Sequence, residues 1–181
     1  MTNIRKHLSE VSEAMTLLDQ EAVQSAVMVL NVVRRMQGTV YLIGNGGSHA
    51  TAAHMANDLI KMGKVKAVCI GDMTAVMTAF GNDNGWKNMF VDPLKEMLVK
   101  GKDAVFALTC SGNSENVVNA LDWATGEGVL TVCLTGPAMN SRVSDLGVNA
   151  LVRAVAADIR VQEDVHAMVC HAIVREMQGL A

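Results

Sequence analysis

A chain of 181 residues with a net charge of -3 is long enough for one domain with a substantial core, and it lacks the basic cluster of a nucleic-acid surface. Half of the residues are hydrophobic but only 3% are aromatic, so the core must rest on Val, Leu, Ala and Met, which lets helices pack closely on a parallel sheet. No apolar run has the length of a membrane span or the form of a secretory leader, and Cys69, Cys110, Cys133 and Cys170 make no CxxC pair, so the expectation is a reduced, cytoplasmic protein with no membrane partner.

Residues 3–36 read as two helices. Leu8, Val11, Ala14, Met15 and Leu18 form an apolar stripe in the first, and Val23, Ala26, Val27, Leu30, Val32 and Val33 cover much of the second. A helix so broadly apolar is buried or meets another subunit. Gln37-Gly38 is expected to end it, with glycine just beyond the C-terminus.

Strand one is expected at 40–43, followed by Gly44-Asn-Gly-Gly-Ser48 and a helix from 48 to about 62, with Ser48 at its N-cap. Strand two is 67–70, and Asp72 is placed to cap a short helix over 73–80. A turn-rich loop, Gly81-Asn-Asp-Asn-Gly85, leads to a helix near 89–99 with Pro93 in its first turns or breaking it. Strand three, 104–108, runs into Thr109-Cys-Ser-Gly-Asn-Ser114 and a helix to about 124. Strand four is 130–134. A short helical piece and a strand at 150–152 precede the last helix, about 161–178. Short apolar strands alternating with helices indicate a parallel sheet covered on both faces, with ligands at the carboxyl ends of its strands.

Two polar loops fall at such ends. Gly44–Ser48 offers backbone N–H groups at a helix start, a seat for an anion. It is neither GxGxxG nor a Walker A loop, which needs a Lys. Thr109–Ser114 brings three hydroxyls and further amides to another helix start. Together they point to a phosphorylated small molecule. His54 and Asp58, four residues apart, project from one helix face. In the last helix Glu163 and His171 lie about 80° apart around the axis, with His166 near the same side, whereas Gln162 is nearly opposite His171. If that helix meets the first, His54, Asp58, Glu163 and His171 form a set suited to Zn²⁺ or a similar divalent ion. His7 and His49 have no such partners and read as surface residues. Cys69 and Cys133 read as small core hydrophobes.

Gly44-Asn-Gly-Gly-Ser48 with His54, Gly81-Asn-Asp83, Ser111-Gly-Asn-Ser114 with Glu115-Asn116, and the Glu163…His166…His171 helix together resemble the sedoheptulose 7-phosphate isomerases, the phosphoheptose isomerases of the sugar isomerase (SIS) domain fold. The resemblance spans nearly the whole chain. It implies an α/β three-layer sandwich with a five-stranded parallel sheet, a single domain over 1–181 whose helices at 1–36 serve oligomer packing, and a homotetramer with sites shared between subunits. It also implies a bound divalent metal, usually zinc. Carried over by position, Asn45, Gly46, Gly47, Ser48, Asn82, Asp83, Thr109, Cys110, Ser111, Ser114 and Glu163 would touch substrate. His54, Asp58, Glu163 and His171 would hold the metal, with Asp58 as catalytic base and His171 as acid. The family has Glu at the place of Asp58 and Gln at that of Glu163. Arg160-Val-Gln162-Glu163 looks like the family's Arg-Ile-Gln-Glu run, yet spacing to His171 aligns Glu163, since an insertion in mid-helix would rotate every residue beyond it by ~100°.

The activity expected is aldose–ketose isomerisation of a sugar phosphate, sedoheptulose 7-phosphate first, through an enediol. The alternatives are an isomerase of another sugar phosphate, or a non-catalytic phosphosugar-binding or DnaA-associating regulator on the same fold.

Overall fold

A computed structural model describes residues 2–179 of the chain. Two helices, α1 (Asn3–Thr16) and α2 (Gln20–Arg35), precede five strands: β1 (Thr39–Gly44), β2 (Lys66–Cys69), β3 (Ala104–Thr109), β4 (Leu130–Thr135) and β5 (Ala150–Arg153). Between and after them lie α3 (Gly47–Asp58), α4 (Thr74–Asn84), α5 (Val91–Met97), α6 (Glu115–Gly126) and α7 (Ile159–Gly179). The strands form one parallel sheet in the order β2-β1-β3-β4-β5.

The strands are apolar at nearly every position because both faces of the sheet are covered. Alternate residues serve opposite cores. Leu42, Phe106, Leu108, Val132 and Leu134 pack with α2, α3 and α7, while Ile43, Val105, Ala107 and Cys133 pack with α5 and α6. This is the expected three-layer α/β/α sandwich.

Local signals set some boundaries. Asp19 caps α2, its Oδ1 accepting from the N–H groups of Glu21 and Ala22 at 2.9 and 3.1 Å. Pro93 stands in the first turn of α5, where a missing N–H costs no helical bond. Other expectations are corrected. Gln37, not Gly38, takes the left-handed backbone after α2, at φ 53°. Gly38 is needed for another reason: a Cβ there would collide with the carbonyl of Lys102. Leu8 turns to solvent and leaves the α1 stripe. Asp72 caps nothing; α4 begins after Met73 with no side-chain cap.

The expected loop 81–85 is helical as far as Asn84. Gly, Asn and Asp only weaken a helix, and here it runs on until Gly85 ends it at φ 81°. The helix expected over 48–62 is α-helical only to Asp58. Leu59–Gly63 then widens into a π turn, a feature frequent beside functional sites.

Candidate active site

The strand order reverses direction at β1 and β3. The connection after β1 covers one face of the sheet and the one after β3 covers the other, so a crevice opens where their carboxyl ends part. There Asn45, Ser48, Thr109, Cys110, Ser111, Ser114 and Glu163 line a cleft of about 180 Å³.

The first wall follows β1. Gly46, rather than Ser48, is the residue that precedes α3. Its φ of 54° suits glycine and aims the chain into the helix. Ser48 is buried in the first turn, its Oγ 4.0 Å from the Cys110 sulfur. Asn45 is fixed from below by a reciprocal amide pair. Its Nδ2 donates to Asn116 Oδ1, and its own Oδ1 accepts in return from Asn116 Nδ2, both at 2.9 Å. Asn116 is fully buried in the first turn of α6 and also accepts from the Val117 N–H at 3.0 Å. It joins the two loops, a function its place in the second motif did not reveal.

The second wall follows β3. Gly112 sits at φ 64°, and the Asn113 N–H donates to Ser111 Oγ at 3.1 Å. Thr109 Oγ1 donates to Ser114 Oγ at 3.5 Å. Gly136 lets the chain after β4 pass close by, its N–H donating to the Cys110 carbonyl at 3.0 Å; a Cβ there would strike that carbonyl. Burial pushes the Cys110 thiol up. The hydrogen bond with Ser48 opposes this and the Glu163 charge adds to it.

Glu163 reaches in from α7. Its carboxylate lies directly over Gly47, where a Cβ would run into it. The positive end of α3 therefore already faces a carboxylate.

Further along the same two helices, α3 carries His54 and Asp58 and α7 carries His171. The Nε2 atoms of His54 and His171 are 3.0 Å apart, and Asp58 Oδ2 stands 3.4 and 3.8 Å from them. Asp58 is buried, and its Oδ1 accepts from Asn57 Nδ2 at 3.0 Å, while both imidazoles are more than half exposed. They open on a hollow of about 540 Å³. Two donors of a tetrahedral zinc with bonds of about 2.05 Å stand about 3.3 Å apart, so these nitrogens and oxygen already have the spacing of ligands to one ion. Glu163 is not among them. Its carboxylate belongs to the cleft, which corrects the four-ligand set expected from spacing. The Gln162 amide, which spacing set aside, is buried, with Nε2 donating to the Ala156 carbonyl at 2.8 Å.

Other expected positions lie elsewhere. Asn82 and Asp83 are exposed on α4, Asn82 Nδ2 donating to Asp83 Oδ1 at 2.8 Å, and do not line the cleft. His166 turns into the core, its Nε2 3.0 Å from the Thr135 carbonyl. His7 and His49 are not partnerless: His7 meets Asp164 at 2.7 Å, and His49 meets Asp72 at 3.2 Å.

A model of the SIS domain matches residues 3–136. The chain is 30% identical to a phosphoheptose isomerase of a Nitratiruptor species over 179 residues, 94% of each chain. It belongs to the phosphoheptose isomerase family of SIS-domain proteins. Solved SIS-fold structures agree with the architecture. The phosphoheptose isomerase of Neisseria gonorrhoeae aligns with a TM-score of 0.88 at 24% identity, covering 96% of this chain and 97% of its own. That of Francisella tularensis aligns at 0.87 and 21% identity, covering 99% and 100%. No described helix of this SIS-domain chain is long and apolar enough to cross a membrane.

Proposed function

We propose that this protein is an aldose–ketose isomerase of a sugar phosphate, with sedoheptulose 7-phosphate and a heptose 7-phosphate as the pair it interconverts. One observation carries the reading. The helices that wall the polar cleft, through Ser48 and Glu163, also bring His54, Asp58 and His171 together. By helix rise, residues 48 to 54 and 163 to 171 span about 9 and 12 Å. An open-chain sugar with a terminal phosphate bridges such a distance. Its phosphate rests on Thr109, Ser111 and Ser114, and its carbonyl end reaches Asp58 and His171.

Asp58 takes the proton from the carbon beside the carbonyl. Burial and the Asn57 amide hold its carboxylate in one orientation. His171 moves a proton at the two oxygens of the enediol. Each step contributes roughly 10²–10⁴-fold, the usual range for positioned acid–base groups. Asn45 orients the sugar between the ends, and Glu163 accepts hydrogen bonds from its hydroxyls. His54, His171 and Asp58 would hold a divalent ion, zinc by donor type, which polarises a carbonyl and pairs adjacent oxygens when bound.

The subunits assemble as a homo-oligomer, a tetramer by family resemblance, through the helices at 1–36. Exposed Ile4, Leu8, Met28 and Val32 on α1 and α2 support this. Assembly is also what would bring a neighbour's Asn82 and Asp83 to a cleft that their own chain leaves without them.

The test is a coupled assay of heptose phosphate formation with wild-type, Asp58→Asn and His171→Ala proteins. Loss of turnover in both variants is expected. Full turnover in either removes the assigned role. Phosphosugar binding without turnover in the wild type would instead favour a sensing or regulatory protein on the same fold.

A further inference from the structure

His49, Cys69 and Asp72 form a second group of ligating side chains, apart from the cleft and from the His54–His171 pair. One donor atom from each lies within 4.8 Å of the others. The fold builds this group from three places. Cys69 ends β2, the 3₁₀ turn Ile70–Asp72 brings Asp72 back beside it, and the first turn of α3 supplies His49. The Cys69 sulfur is 3.5 Å from His49 Nδ1, and Asp72 Oδ1 is 3.2 Å from His49 Nε2. Gly71 leaves room for the ring, since a Cβ there would collide with it.

We propose that His49, Cys69 and Asp72 constitute a second divalent-cation site, built for a thiophilic ion such as Zn²⁺. The donor set of imidazole, thiolate and carboxylate selects zinc-like ions over calcium or magnesium. The spacing fits. A nitrogen at about 2.05 Å and a sulfur at about 2.3 Å from a tetrahedral zinc stand about 3.6 Å apart. The 3.5 Å between Nδ1 and Sγ is nearly that separation. Cys69 is buried, whereas the Asp72 side chain is 58% exposed, giving a dry sulfur end and a carboxylate free to swing in from a wet mouth. Solvent completes the coordination.

A cation replaces the thiol proton, which passes to solvent, and turns the repulsion between thiolate and carboxylate into shared coordination. The ion would tie the end of β2 to the turn of α3 that carries Ser48, so its loading stiffens one wall of the cleft.

Cobalt(II) titration of the full-length protein, followed by absorption, tests the site. Co²⁺ bound through sulfur gives a near-ultraviolet thiolate-to-metal band, which nitrogen and oxygen ligands alone do not. The band is expected in wild-type protein, unchanged in the His54→Ala/His171→Ala double variant, and absent in Cys69→Ser. Should Cys69→Ser not fold, His49→Ala carries the same test and should weaken formation of the band about tenfold or more. Absence of the band from wild-type protein overturns the proposal. So does a band that survives Cys69→Ser, one that forms as readily in His49→Ala as in wild type, or one that is lost in Cys110→Ser instead.

Discussion

His54 and His171, 117 residues apart in sequence, meet edge-on, with ring centroids 5.2 Å apart, planes at 84°, and Nε2 facing Nε2 at 3.0 Å. Two protonated nitrogens so placed would repel. One lone pair must therefore face a proton on its partner, or both must face a shared cation beside Asp58. His171→Ala is expected to cost the protein its divalent ion at this site and to lower isomerase turnover by roughly 10²-fold or more. Metal analysis of the purified variant beside the assay checks both. An unchanged ion content at this site, measured in a Cys69→Ser background, would refute the assignment.

The carboxylate of Glu163 over Gly47 places a negative charge in the cleft proposed to take a phosphate. With partial screening, such a repulsion across a small cleft is worth on the order of 1 kcal/mol. Glu163→Gln should therefore bind inorganic phosphate, as a competitive inhibitor, severalfold more tightly. Weaker binding would mean that the carboxylate organises the cleft rather than opposes the anion.

Asn116 links the two loops through its paired bonds to Asn45. Asn116→Ala leaves the Asn45 amide without its buried partner, at a cost of about 1–3 kcal/mol in stability. KM for the phosphosugar should rise more than kcat falls, because the role proposed for Asn45 is to orient substrate and not to move a proton. Denaturant melts and steady-state kinetics separate the two effects.

His166 is buried, and burial lowers its pKa below 6.5, against the hydrogen bond to Thr135, which raises it. A lowered histidine stays neutral in the fold while the unfolded chain takes up a proton. Its contribution is thus complete above pH 6.5 and is lost as pH falls below it towards the folded value. Thermal melts should drop from pH 6.5 downward in the wild type. His166→Leu should show a shallower slope over that range, whatever its stability at pH 8. Equal slopes would show that other groups carry the acid sensitivity.

Much of the architecture was legible in the residues. The apolar strands, their alternation with helices, and the two polar loops at strand ends follow from local periodicity, which neighbours reinforce rather than override. The pairing of His54 with Asp58 was legible for the same reason: four residues on a helix make neighbours regardless of what packs outside. The run 81–85 misled, because Gly, Asn and Asp mark turns only where nothing favours continued helix. Likewise Asp72, which looked like a cap, is instead the partner of His49.

Residue pattern alone thus dictated the order of elements, the fold class, the two polar loops at strand ends and the place of an imidazole–carboxylate pair. Which α7 side chain meets which partner was left to three-dimensional packing. Glu163 and His171 differ by about 80° around that helix, enough for one to face Gly47 and the other His54, while His166 faces the core. Packing also brought Cys69, Asp72 and His49 together, through the crossing of β2 and α3. Periodicity reports which face of an element is buried. What it is buried against depends on the rotation and neighbours that packing alone sets.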